Sequence, residues 1–363
     1  MNIRTPLALI AGVATVLALA GCSAANSPDS TGNGAASTEK LNVVATTTQL
    51  ADFASRIGGD DISLTGLLAP GASAHHFDPS PADLLALGKA DVLIINGAGL
   101  EEFIDSAVES SGFAGTVVTA ADGIDLELAK AITAEAAEDD DHDHAEDDHD
   151  HAEEDHDHDH ADEGDDEHDH DHGDLNPHLW TSVRFAQGMV AEVAEGLATA
   201  DPAHAAEFSE RADAYRAQLE TLDAWITPQF ERVPVAERVL VSGHDSLRYY
   251  LHDYDIAFIG SLIPSFEDNA EPSAAQIDEL VAEIKEHGVK AIFVESSMSP
   301  KLARTVADEA GIQVVDAATL CADSLGAAGT PAADYLGATI ENTRTILEAW
   351  GASVDPLPAE LES

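Results

Sequence analysis

Asp91-Val92-Leu93-Ile94-Ile95 places four apolar residues in a row behind a single acid. The run is too short for a buried helix, and its β-branched content reads as a strand covered on both faces. Asn42-Val43-Val44-Ala45-Thr46 reads the same way, and residues 62–68 and 116–119 add two more strands. Between them, 49–57, 81–88 (opened by Pro81) and 100–110 carry helical patterns. Strands alternating with helices specify a parallel sheet with helices on both faces. Past Trp180 the pattern turns helical, first over 182–198. A second helix starts at Asp201-Pro202 and runs to about residue 231, with Phe208, Tyr215, Leu219, Leu222 and Trp225 on one side. At 1.5 Å per residue it spans about 42 Å, which suits a strut. The α/β pattern then repeats, with strands at 238–242, 255–259, 291–295 and 313–315. Helices are predicted at 246–253, 273–288 and 300–310, with a closing helix at 333–350. The predicted fold is α/β with two lobes, 41–200 and 233–354, each a mostly parallel sheet flanked by helices. One long rigid linker helix, 201–232, joins them.

The first lobe is interrupted between residues 138 and 174, where 10 of the chain's 17 histidines alternate with 22 carboxylates and no Lys or Arg. These are His142, His144, His149, His151, His156, His158, His160, His168, His170 and His172. Such a run cannot bury a core, so it reads as a disordered loop. Imidazole and carboxylate are the usual donors to zinc and its first-row neighbours, which makes the loop a candidate auxiliary metal collector. A solvated acidic tether is the plainer alternative. The formal net charge of the 363-residue chain is −53, which excludes nucleic-acid binding through phosphate neutralisation.

Arg4 followed by the apolar stretch 7–20 is a targeting segment too short to span a bilayer comfortably. It ends in Leu19-Ala20-Gly21-Cys22, which resembles a bacterial lipoprotein box. Residues 1–22 would then be the signal peptide, with cleavage before Cys22 and lipidation of its thiol. An ordinary secretory signal with a chance cysteine is the alternative. Residues 23–40, rich in Ser, Ala, Gly and Asn, read as a flexible tether. With Cys22 lipidated, Cys321 has no partner, so the fold rests on its apolar core without a disulfide.

Four loop sites carry candidate ligands. Pro70-Gly71-Ala72-Ser73-Ala74-His75-His76-Phe77-Asp78-Pro79 follows a strand and holds two adjacent histidines; a surface pair is the alternative. Asn176-Pro177-His178-Leu179-Trp180 begins where the His/Asp run ends, and a lone His in a turn is often structural. In Ser242-Gly243-His244-Asp245-Ser246, His244 lies near a predicted helix N-terminus. That partial positive charge disfavours imidazolium and keeps a nitrogen free for metal. A simple cap-region histidine remains open there. In Cys321-Ala322-Asp323-Ser324-Leu325-Gly326, Asp323 is a ligand or a turn residue, and Cys321 is a further soft donor.

Taken together, these sites resemble, in order and spacing, the cluster A-I solute-binding lipoproteins of bacterial zinc and manganese ABC importers. The resemblance runs from Val43-Val44-Ala45-Thr46-Thr47 through Ile57-Gly58-Gly59-Asp60 and Ala90 to Leu100-Glu101. It resumes at Pro177-His178-Leu179-Trp180, His244-Asp245-Ser246, Glu271-Pro272-Ser273 and Asp323-Ser324-Leu325-Gly326. It implies metal ligands His75, His178, His244 and Asp323, with His76 in reserve and Glu295 outside the ligand set. A histidine at the third position, where manganese members usually carry a carboxylate, favours Zn2+, with Mn2+ as the alternative. It also implies an ABC permease and its ATPase as partners, a monomer anchored by lipid to the outer face of the cell membrane, and no enzymatic activity. Many zinc members hold a disulfide in the second lobe that this chain lacks, which puts the rigidity around Cys321 and Asp323 in question. Two other classes stand beside this reading: a metal-storage or adhesin lipoprotein without a transporter, and a zinc hydrolase. Against the hydrolase stand the fourth protein ligand and the absence of HExxH or Gly-x-Ser-x-Gly patterns.

Overall fold

The computed structural model describes residues 40–141, 175–265 and 271–362. Cys22 and the ten histidines of the His/Asp run lie outside the described residues.

The first sheet contains β1 (Leu41–Ala45), β2 (Ile62–Gly66), β3 (Val92–Ile95) and β4 (Thr116–Thr119). The second contains β5 (Val239–Ser242), β6 (Ala257–Ser261), β7 (Ala291–Glu295) and β8 (Gln313–Leu320). Both are all-parallel and share one order, β2-β1-β3-β4 and β6-β5-β7-β8. Chain direction across each sheet therefore reverses beside its first strand, β1 or β5. In open α/β sheets ligands gather beyond the carboxyl ends at such a point. The middles of the central strands are apolar because helices cover both faces, and polar residues sit at strand ends or edges, as Ser242 and Glu295 do: Val92, Leu93 and Ile94 are buried, as are Leu240, Val241 and Ile292.

The helices are α1 (Thr48–Gly58), α2 (Pro81–Leu87), α3 (Ile104–Ser111), α4 (Leu126–Asp141) and α5 (Val183–Ala200). They continue with α6 (Ala205–Glu231), α7 (Arg248–Asp253), α8 (Ala274–Glu286), α9 (Lys301–Ala310) and α10 (Tyr335–Ala349). Side-chain caps fix several starts: Thr47 on α1, Ser182 on α5 and Asp334 on α10. Ser80 with Asp83, and Ser273 with Gln276, form capping boxes on α2 and α8.

Several boundaries differ from the sequence expectation. The long helix starts at Ala205 rather than Asp201, because the Asp201 carboxylate accepts from Ala203 N (3.2 Å) and contacts His204 Nδ1 (2.6 Å), holding a turn. β6 starts at Ala257 rather than at 255, because Asp255 takes φ 52°, outside the strand region. β8 runs on to Leu320, beyond the expected end at 315, because β7 supplies a partner there, Glu295 opposite Leu320, across a register shift. α4 was not foreseen. Its last turns are acidic and share the composition of the His/Asp run.

α6 packs on α1 and α5 of the first lobe and on α10 of the second. One apolar cluster runs across the seam, from Leu50, Phe53 and Trp180 to Tyr250, Tyr335 and Trp350. Hydrogen bonds cross it as well. Tyr335 OH donates to Trp180 O (2.7 Å), Leu325 N to Thr48 Oγ1 (2.9 Å), and Gly71 N to Ser324 Oγ (2.7 Å).

Candidate metal centre

His75 reaches the seam from the loop after β2. Leu67 N and Leu68 N extend the β1 pairing by donating to Ala45 O and Thr46 O, and the chain then turns through Ala69 and Ala72. Ser73 Oγ accepts from His75 N at 3.2 Å, and Ala74 is buried beneath. The capping box at Ser80 ends the loop.

His178 precedes a short 3-10 turn, Leu179–Thr181. Asn176 sets its ring. The Asn176 Oδ1 atom accepts from His178 N (3.1 Å) and stands 2.7 Å from His178 Nδ1, while Asn176 Nδ2 donates to Asp245 O (2.6 Å) in the other lobe. Because Nδ2 is spent as donor, Oδ1 must be the acceptor. His178 then carries its proton on Nδ1 and presents an Nε2 lone pair to the seam. Asn96 Nδ2 holds Pro177 O at 3.0 Å, and buried Glu101 orders that asparagine by accepting from Asn96 N (2.6 Å) and Gly97 N (3.1 Å).

His244 sits just beyond β5 and Asp323 just beyond β8. Asp323 Oδ2 accepts from Ser297 Oγ, which leaves Oδ1 aimed at the histidines.

These four side chains converge. One donor atom from each of His75, His178, His244 and Asp323 lies within 4.8 Å of every other. His75 Nε2 and His178 Nε2 are 3.0 Å apart. Asp323 Oδ1 is 3.4 Å from His178 Nε2 and 3.2 Å from His244 Nε2. Ligand atoms on bonds of 2.0–2.2 Å stand roughly 3.3 Å apart along a tetrahedral edge, so the spacing suits a small cation. His178, His244 and Asp323 are buried, and His75 is half-buried.

The chemistry of the donors points the same way. Among the described residues, His244 Nδ1, His244 Nε2 and Asp323 Oδ1 are buried without a hydrogen bond. Buried polar atoms are rarely left so; here His244 Nε2 and Asp323 Oδ1 face one another, while His244 Nδ1 faces Glu295 Oε1 at 3.3 Å. Two lone pairs cannot approach to about 3 Å without a proton or a cation between them.

Burial, reinforced by the neighbouring His178, pushes His75 down to about 3, so it is neutral and ready to donate. For His244 the outcome differs from the sequence expectation of a neutral imidazole at a helix end. Burial disfavours its charge, but the carboxylates of Asp323 and Glu295 outweigh that and hold it well above the ordinary value of 6.5. α7 begins only at Arg248, too far to set the balance. Asp323 moves in the opposite direction: burial would raise it, but His244 and His178 hold it well below 3.8.

Cys321 is absent from the cluster. It is a buried free thiol, pushed up to about 11 by burial. The rigidity that a disulfide would bring comes from Asn342, whose amide accepts from Cys321 N (2.7 Å) and donates to Cys321 O (2.8 Å). Sequence reasoning passed over Asn176 as a holder of His178, although it stands two residues away in the same motif. His76 opens instead onto a surface groove with His75, Phe77, Asp78, Glu102 and Phe103.

Known proteins resemble this chain over most of its length. The family model "Zinc-uptake complex component A periplasmic" (ZnuA) matches residues 43–349. The chain is 29% identical to the manganese-binding lipoprotein MntA of Bacillus subtilis, covering 92% of this chain and 95% of that protein. It is 28% identical to the zinc-binding protein TroA of Treponema pallidum, over 87% and 90% of the two chains. The solved structure of TroA superposes with a TM-score of 0.68 at 26% identity, covering 86% of this chain and 99% of that one. The iron ABC transporter substrate-binding lipoprotein MtsA of Streptococcus pyogenes is 26% identical, over 84% and 87%. A match over most of the chain, two parallel-sheet lobes and a His/Asp cluster between them place this chain in the ZnuA family of cluster A-I solute-binding proteins.

Proposed function

We propose that this chain is the extracytoplasmic metal-binding component of an ABC importer. It takes Zn2+ as cargo on His75, His178, His244 and Asp323 and delivers it to a membrane permease driven by an ATPase. The observation that carries the reading is the meeting of four donor atoms from both lobes within 4.8 Å, two of the donor side chains holding orphaned buried atoms. Three imidazoles and one carboxylate form a nitrogen-rich, closed donor set, which suits zinc better than manganese. Manganese is the second reading, supported by the likeness to MntA.

In this reading residues 1–22 are the leader, Cys22 is lipidated, and 23–40 tether the protein to the outer face of the cell membrane. Two relatives named as lipoproteins support the anchor, and among the described residues no helix is long and apolar enough to cross a membrane. Residues 41–200 and 233–354 are the lobes, and 201–232 link them. The protein acts as a monomer and performs no catalysis. The histidines between residues 142 and 172 collect zinc as a weaker auxiliary site on the same chain, raising its local concentration as a tethered second site does.

Calorimetry on residues 23–363, and on the same chain lacking 138–174, tests this. Both forms are expected to hold one tight zinc that manganese does not displace, with extra weak sites only in the longer form. Loss of tight binding on removal of 138–174 would move the principal site into the His/Asp run. Displacement of zinc by manganese would favour the second reading.

A further inference from the structure

Glu295, at the end of β7, is completely buried, and its carboxylate accepts from polar groups around His244. Oε2 accepts from Gly243 N at 3.1 Å. Oε1 accepts from Ser246 Oγ at 2.7 Å and from His244 N at 3.4 Å. The same Oε1 lies 3.3 Å from His244 Nδ1. On the far side of that ring, Nε2 faces Asp323 Oδ1 at 3.2 Å. One imidazole is thus held between two carboxylates, both buried to 1% exposure or less.

Among the described residues, no Lys or Arg pairs with Glu295 or Asp323. Ion pairing of Arg248 goes to Asp245, at 2.7 Å. The other buried acid near the seam, Glu101, is occupied by Thr46 Oγ1 and the amides of Asn96 and Gly97. Two isolated carboxylates are too costly to bury without an opposing charge.

We propose that Glu295 is the second counter-charge of the bound cation and the positioning residue of His244. It accepts the His244 Nδ1–H, turns the Nε2 lone pair toward the metal, and with Asp323 brings the buried negative charge to two. Three neutral imidazoles and two carboxylates then match a divalent ion with no residual charge. The two ring holders differ in kind. His178 is oriented by the neutral amide of Asn176, and His244 by an anion, so the second lobe supplies the excess basicity. The inference rests on the metal-binding reading above.

The test compares zinc affinity, by competition with a chromophoric chelator, in the wild-type chain and in Glu295→Gln and Glu295→Asp. Glu295→Gln keeps nearly the same shape and loses the charge, and is expected to bind zinc roughly 10- to 100-fold more weakly. Glu295→Asp keeps the charge and is expected to recover part of the loss. Cobalt-loaded protein adds a spectroscopic readout, since a reoriented His244 alters the visible bands of a tetrahedral ion. Wild-type affinity and an unchanged cobalt spectrum in Glu295→Gln would overturn the proposal. Should neither variant fold, nitrogen-15 spectra of ring-labelled, zinc-loaded wild-type protein decide. A His244 ring bound through Nε2 with its Nδ1–H hydrogen-bonded supports the proposal, and a ring bound through Nδ1 refutes it. Failure of the wild-type chain itself to bind zinc or manganese would instead remove the functional reading.

Discussion

Trp180 donates its indole N–H to the carbonyl oxygen of Ala322 at 2.7 Å, and so joins a residue two places after His178 to the one just before Asp323. Gln49 Nε2 gives the same carbonyl a second donor at 3.0 Å. Two candidate ligands from opposite lobes, His178 and Asp323, are therefore set relative to each other by a buried lock. Trp180→Phe removes one donor and leaves a small void. It is expected to cost about 1–3 kcal/mol of stability in denaturant unfolding of the metal-free protein. Zinc affinity should fall with it; an unchanged unfolding midpoint would mean the lobes are held some other way.

Metal uptake should release a proton from His244. Its pKa is raised in the metal-free fold, with burial opposed and outweighed by Asp323 and Glu295. Apparent zinc affinity should then climb about tenfold per pH unit and keep climbing above pH 6.5, where an ordinary imidazole would have levelled off. The same sign governs stability without metal. The His244 contribution is complete below pH 6.5 and is lost as pH rises through the higher folded value. Calorimetry in buffers of different ionisation enthalpy counts the proton, and a count of zero would contradict the assignment.

Loss of single ligands should be graded by burial. His178→Ala leaves the buried Asp323 carboxylate without one of its two imidazole neighbours, and water has little access to substitute. Tight zinc binding should disappear. His75 is half-buried, so in His75→Ala a water can take its place, with a loss of at least about tenfold but measurable binding. Equal losses in the two variants would argue that both positions are sealed alike.

Gly243 is required by a close approach. A Cβ there would lie 2.1 Å from Glu295 Oε2 and 2.5 Å from Met298 Sδ. Gly243→Ala should push the carboxylate away from His244, destabilise the chain by about 1–3 kcal/mol, and weaken zinc binding. Thermal unfolding with and without zinc separates the two effects.

The strands were legible because parallel strands covered on both faces must be apolar throughout, as Val92-Leu93-Ile94-Ile95 and Val239-Leu240-Val241 are. The four clustered residues were legible because each follows a strand or a turn in a short motif of its own. Glu295 was visible at a strand end, but its purpose was not. Its contact with His244 arises only when β7 pairs with β5, a relation across 51 residues that local pattern does not encode. The last turns of α4 were hidden for the opposite reason. Its acidic tail has no apolar periodicity of its own, so composition assigned it to the neighbouring run.

The half-exposed position of His75 has a kinetic meaning. Three donors wait in the interior and the fourth stands at the rim of the groove lined by His76, Asp78 and Glu102. In the proposed function an ion arriving from that side would meet His75 before the rest, and one departing would leave it last. If the site carries a metal, the loop between Pro70 and Pro79, tied to the second lobe at Gly71 N by Ser324 Oγ (2.7 Å), is where its exposed donor can shift without breaking the bond of Trp180 to Ala322.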